Sequence, residues 1–271
     1  MSRLPARDGR LIGYEFFAPE HPRGCVLIAA AMAVPARFYG RYAQYLSSTG
    51  LAALTVDYRG IGTSKIGPLK DDPATFHEWG EQDLGGAVDF LTSRYPGLPL
   101  HWIGHSAGGQ LMGFLPGAPI ASALFVASGS AYCGAYQGRA RAIISGLFHV
   151  ALPAMVAFKG YLPMKAFGQG EDVPAGVARE WAEWGRHPRY VRKYADLKGG
   201  LGFDSYTGPL KAVAFSDDSY APKEAVERLL ELYPNARKEL ILHPGPAGHF
   251  GFFKRQDLWS QETFAVGRET K

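Results

Sequence analysis

Four strand-length apolar runs, each followed by a segment of helical spacing or a turn, constrain this chain more than any other feature. "GCVLIAAAM" (24–32), "LAALTVDYRG" (51–60), "LPLHWIG" (98–104) and "ASALFVAS" (121–128) are nearly continuous in apolar residues. Such runs mark strands buried on both faces. Between them, "ARFYGRYAQYLSS" carries Phe38, Tyr42, Tyr45 and Leu46 on one helical stripe, with Gly50 as its stop. "FHEWGEQDLGGAVDFLTSRYPG" (76–97) and "AGGQLMGFLP" also read as helices. "LIGYEFFAP" (11–19) reads as a strand after the Asp8-Gly9 turn. The rhythm resumes late, with strands at 209–216 and 238–244, a helix over 222–234 opened by Pro222, and a closing helix after Phe252. Alternation of this kind predicts an α/β fold, a mostly parallel twisted sheet covered by helices on both faces.

The 271 residues suit one such domain with an insertion. Residues 129–208 break the rhythm with helical and Pro/Gly-rich pieces and no clear strand. They read as a mainly helical cap set into a core of residues 1–128 and 209–271. Within that cap, "AIISGLFHVALPAMVAF" (142–158) is apolar apart from Ser145 and His149. It sits at the short end of the ~17–25 residues that cross a bilayer, and His149 and Pro153 weaken a spanning helix. The first reading is apolar helices lining or covering a pocket; the second is shallow membrane contact.

A formal charge of +4 is mild and calls for no nucleic acid. The densest basic stretch, residues 186–198, reads as a solvated helix face, with steering of an anionic substrate as the sharper alternative. Two cysteines, Cys25 and Cys133, build neither a disulfide framework nor a four-ligand zinc site. His101 and His105 lie on a strand and a turn and make no metal pair; no cofactor is called for. The opening "MSRLPARDGR" lacks the apolar core of a secretory signal, so a cytoplasmic location is expected. Oligomeric state is not legible.

The chemistry-bearing stretch is "WIGHSAGG" (102–109), a Gly-x-Ser-x-Gly pattern. Alone it is weak, but it lies between a strand and a helix, where a sharp turn exposes the serine hydroxyl. Ser106 is therefore the candidate nucleophile, with helix-start amides beside it for a developing oxyanion. A serine needs a base. His249, in the Gly/Pro loop after the last strand, suits that role better than His243 or His105. The base needs a carboxylate. No acidic residue occurs between Asp89 and Glu171, which excludes an acid after the 121–128 strand. The next strand ends in "AFSDDSYAP", offering Asp218 first and Asp217 as the alternative.

The order Ser106, Asp218, His249 resembles that of the α/β-hydrolase superfamily. "DYRGIGTS" (57–64), "WIGHSAGG", "DDSYAP" and the "GHFGFF" ending all look like its motifs, the last like those of a little-characterised bacterial branch. The resemblance implies the α/β-hydrolase fold and a serine hydrolase working through an acyl-enzyme. It implies an oxyanion hole from the backbone N–H groups of Met32 and Ala107. One departure is clear: where relatives usually carry a His-Gly pair after the third strand, this chain has Ala30-Ala31-Met32-Ala33, and alanine in place of glycine narrows the backbone angles open there. An ester or thioester with an apolar acyl or aromatic group is the expected small-molecule substrate. Phe148, Leu152, Met155 and Phe158 are candidate pocket residues, although such stripes also serve as plain packing. An acyltransferase using the same intermediate, and a non-catalytic binding protein on the same fold, remain open at this level.

Overall fold

The apolar runs pair into one eight-stranded sheet. The computed structural model describes residues 2–168, 170–198 and 202–262; Gln169 and residues 199–201 of the 129–208 segment lie outside them. In chain order the strands are β1 (Arg3–Pro5), β2 (Leu11–Phe17), β3 (Gly24–Ala29), β4 (Leu51–Val56), β5 (Leu100–His105), β6 (Ile120–Val126), β7 (Tyr161–Leu162), β8 (Val173–Pro174), β9 (Pro209–Phe215) and β10 (Arg237–His243). The sheet order is β1-β2-β4-β3-β5-β6-β9-β10, with β7 and β8 forming a separate pair. β1 pairs antiparallel with β2 and β2 with β4, and every other pairing in the large sheet is parallel.

Every residue of β3, β4 and β5 is buried, as their unbroken apolar character requires of central strands. Ala29 stands opposite Gly104, His105 opposite Val126, Val126 opposite Val213, and Phe215 opposite His243. Parallel pairing in this register brings the carboxyl ends of β3, β5, β6, β9 and β10 to one rim. The loops that leave that rim carry Ser106, Asp218 and His249.

Two expectations change. The 129–208 segment is not strandless: β7 and β8 pair antiparallel, but at two residues each they show no periodicity. Nor does Pro153 break the apolar stretch. Gly138–Gly146, Leu147–Ala151 and Leu152–Lys159 run on as one 22-residue helix. Its middle piece widens to π geometry just before the proline, which relieves the clash and the missing donor that proline brings.

The 57–64 stretch braces the rim. Asp57 accepts hydrogen bonds from Ala36 N–H at 2.7 Å and from Thr63 N–H and Oγ1 at 2.8 Å each, tying the loops after β3 and β4 together. Arg59, with 2% of its side chain exposed, is paired with Asp83 at 2.7 Å, Asp8 at 2.9 Å and Glu78 at 3.1 Å. Removing one partner of a buried ion pair leaves an uncompensated charge. Asp83→Ala is expected to cost about 3–5 kcal/mol of folding stability, read from urea denaturation midpoints.

A second ion pair joins the core to the 129–208 segment. His77 Nδ1 lies 2.7 Å from Glu180 on helix Ala175–Gly185, and its ring stacks on Tyr194. Burial disfavours the imidazolium, but the Glu180 hydrogen bond, with the charges of Glu180, Glu81 and Glu78, outweighs it and raises the pKa above 6.5. A raised folded value means this stabilisation is complete below the unfolded pKa and is lost as pH rises through the folded one. Melting temperature should therefore fall as pH rises above the unfolded value of 6.5, and Glu180→Gln should flatten that part of the profile. An unchanged slope in the variant would contradict the assignment.

Candidate active site

Among the described residues, four that are not glycine adopt positive φ: Ala33 (64°), Ser106 (50°), Ala127 (48°) and Tyr190 (47°). Three of these follow β3, β5 and β6 at the shared rim. Strain of this kind costs about 1–3 kcal/mol per residue and concentrates at functional sites.

Ser106 caps the short helix Ala107–Leu111 with φ 50° and ψ −114°, the sharp strand-to-helix turn its motif demands. The flanking glycines have a steric reason. A Cβ on Gly108 would lie 2.0 Å from the Ala29 carbonyl oxygen, and one on Gly104 would lie 2.5 Å from the Gly109 backbone. Ser106 is half-buried, and its hydroxyl has no hydrogen-bond partner among the described residues.

Asp218 lies three residues beyond β9 and is buried. Its Oδ2 is 2.8 Å from His249 Nδ1, while Oδ1 accepts from Tyr220 N–H at 2.8 Å and Ala221 N–H at 3.1 Å. Asp217 turns outward instead. It accepts from Gly248 N–H at 3.0 Å and Ala247 N–H at 3.3 Å, and the Gly248 bond leads the causes that lower its pKa. The adjacent acids thus divide the work: Asp217 clamps the loop that carries His249, and Asp218 meets the ring. His249 is 7% exposed at its side chain, and its Nε2 is left open. His243 takes no part; its ring packs 5.7 Å from that of Phe215.

His105 points beneath the elbow, its ring 5.2 Å from that of His249. Its hydrogen bonds form a chain whose directions are fixed. The His249 carbonyl can only accept, so His105 Nε2 donates to it at 2.9 Å. Nδ1 then accepts from the Tyr39 hydroxyl at 2.8 Å, and that hydroxyl in turn accepts from Ala31 N–H at 2.8 Å. This needs a neutral ring. Burial, and then the charge of nearby His249, hold the His105 pKa well below the ordinary value. Tyr58 donates to the Ala30 carbonyl at 3.0 Å. Two tyrosine hydroxyls therefore hold Ala30 and Ala31, and a positive φ falls at Ala33.

Nothing in the sequence marks this relay: Tyr39 shares the buried spacing of Tyr42 and Leu46 and reads as plain packing, while its hydroxyl meets groups distant along the chain. Tyr39→Phe leaves two buried polar groups unpaired and is expected to cost about 1–3 kcal/mol per group in denaturation measurements.

Met32 is half-buried between Ala31 and Ala33, and Ala107 opens the helix after Ser106. Neither backbone N–H has an acceptor among the described residues. The four expected pocket residues fall into two pairs. Phe148 and Leu152 are buried in packing, Phe148 edge-on to Trp181 with ring centroids 4.9 Å apart. Met155 and Phe158 line a cleft of about 650 Å³ with Tyr161 and Phe167.

A family model described as serine aminopeptidase, S33, matches residues 20–161, more than half of the chain. A soluble variant of monoglyceride lipase from Saccharomyces cerevisiae superposes with a TM-score of 0.70 at 19% identity, covering 96% of this chain and 93% of that one. An esterase from Exiguobacterium antarcticum gives 0.63 at 16% identity, covering 96% of each chain. A hydrolase from Pseudomonas aeruginosa gives 0.63 at 17%, again covering 96% of each. These likenesses establish a shared α/β-hydrolase fold.

Proposed function

This chain belongs to the serine aminopeptidase S33 family of α/β-hydrolases, an enzyme of the serine-hydrolase type, and from that premise we propose that it cleaves a carboxylic ester or thioester. The observation that carries the reading is the buried 2.8 Å pair between Asp218 and His249, with Nε2 left open on the rim that bears the strained Ser106. Rotation of the Ser106 side chain closes the last link when substrate binds, since such hydrogen bonds are often long or absent without it.

In the reaction, His249 Nε2 takes the proton of Ser106 Oγ as that oxygen attacks the acyl carbon. The charge that builds on the carbonyl oxygen meets the N–H groups of Met32 and Ala107. Collapse breaks the bond to the alcohol or thiol, which leaves with the proton held by His249. Water then gives a proton to His249 and attacks the acyl-enzyme. Ser106 Oγ departs, recovers the proton, and the carboxylic acid is released. Asp218 keeps His249 in the tautomer with hydrogen on Nδ1 and offsets the imidazolium charge. Residues 129–208 serve as the cap over a core of 1–128 and 209–271. The substrate is a small acyl compound, and its apolar acyl or aromatic portion faces the cap.

The test is labelling with a fluorophosphonate, followed by an ester panel of graded acyl length. Labelling of Ser106 and turnover of at least one ester support the proposal. Folded protein whose Ser106 stays unlabelled, under conditions that label a known serine hydrolase, would overturn it. Product analysis with and without an added alcohol or thiol separates hydrolysis from acyl transfer.

A further inference from the structure

The most apolar 18-residue stretch of helix Gly138–Lys159 has a mean hydropathy of 1.7, yet only 17% of it is buried. Its inward stripe is Phe148, Leu152 and Val156, spaced by four and buried. The Phe148 carbonyl also accepts a hydrogen bond from Arg186 at 2.8 Å, fastening that face to the rest of the cap. The outward stripe is just as apolar. Ile143 is 59% exposed, Val150 67% and Phe158 87%, with Gly146, Ala154 and Ala157 also exposed along the same side. Phe167, 59% exposed, lines the same cleft as Phe158. Four of the eight exposed large hydrophobic residues among those described thus fall within residues 143–167. A helix apolar on all sides belongs in a core or in lipid, and here one side has no protein partner among the described residues.

Charge says what covers it. Arg139 and Arg141 stand exposed at one end of the stripe, and Lys159 and Lys165 at the other. None of the four is in an ion pair among the described residues. No acid occurs between Asp89 and Glu171. Asp172 lines the cleft and accepts from the Lys165 backbone N–H. A second copy laid antiparallel on the stripe would set arginines against lysines with no carboxylate along the helix to pair them. An anionic lipid surface meets both features: its acyl boundary takes the stripe and its phosphates take the four cations.

We propose that the outward face of helix Gly138–Lys159, with Phe167, docks the enzyme flat on an anionic phospholipid bilayer. The helix lies on the membrane and does not cross it, because its inward face is held by Trp181 and Arg186. Basic side chains at both ends reach the phosphates while their stems lie along the apolar boundary. Such seating places the cap at the membrane and would let an acyl substrate arrive from the lipid phase.

The experiment is vesicle flotation of the full chain with phosphatidylcholine alone and with phosphatidylcholine and phosphatidylglycerol in equal parts, at low and high salt. The Ser106→Ala protein is run in parallel, so binding is read apart from hydrolysis and a failure of the proposed reaction does not disturb it. Association with the anionic vesicles, weakened by salt, is expected. Each of Lys159→Gln and Lys165→Gln should weaken it about five-fold. Val150→Ser with Phe158→Ser should weaken it tenfold or more; both sites are exposed, and an unchanged melting temperature checks the fold. Three results would overturn the proposal: no association with anionic vesicles at low salt, equal binding to both compositions with no effect of the lysine changes, or lipid-free self-association that the Val150 and Phe158 changes abolish.

Discussion

Ser106→Ala is expected to lower kcat on an activated ester by about 10⁴–10⁶-fold while the protein keeps its fold. The size of the effect follows from the role: without the oxygen no acyl-enzyme forms, and only binding and the oxyanion donors remain to assist water. The intact fold follows from the structure. The hydroxyl carries no hydrogen bond among the described residues, so its loss leaves no buried group unpaired. Alanine also tolerates the turn no worse than serine, since both carry a Cβ at φ 50°. Steady-state rates, with circular dichroism and melting of the same sample, check both halves. A variant that retains a rate within tenfold of the parent would remove Ser106 from the chemistry.

The second large effect separates two neighbouring carboxylates. Asp218→Asn is expected to lower kcat by about 10⁴-fold, whereas Asp217→Asn should lower it less than tenfold. At position 218 the asparagine oxygen keeps the Tyr220 and Ala221 N–H groups, which turns its amide NH₂ toward His249 Nδ1. The ring must then accept at Nδ1 and carry its hydrogen on Nε2, the wrong end to receive the serine proton. At position 217 the change leaves an acceptor for the Gly248 and Ala247 N–H groups and touches only the loop clamp. Equal losses from the two variants would mean that loop position, and not ring orientation, governs the rate.

Much of this was legible in the chain before its structure. The parallel sheet followed from unbroken apolar runs, because a strand covered on both faces has no polar side to alternate. Ser106 followed from a glycine-flanked serine between strand and helix, and His249 from a Gly/Pro loop after the last strand. Asp218 was narrowed to a pair by the absence of acids between Asp89 and Glu171. The relay of Ala31, Tyr39 and His105 to the His249 carbonyl was not legible. Phe148 and Leu152 are buried, but an apolar stripe looks the same in sequence whether it faces substrate or a neighbouring helix. The passage of one helix through Pro153 was missed because a π turn leaves no compositional mark.

Local pattern by itself determined the main strands and helices outside residues 129–208, and which residue types stand at the strand ends, because periodicity and turn chemistry act over a few residues. Tertiary structure alone decided which carboxylate meets His249, which tyrosine hydroxyls hold the Ala30-Ala31 loop, and which face of the apolar helix is left bare. Those outcomes depend on angles and separations between groups far apart along the chain. A hydrogen bond or a contact is made or lost over about 1 Å, a scale to which spacing in sequence is blind.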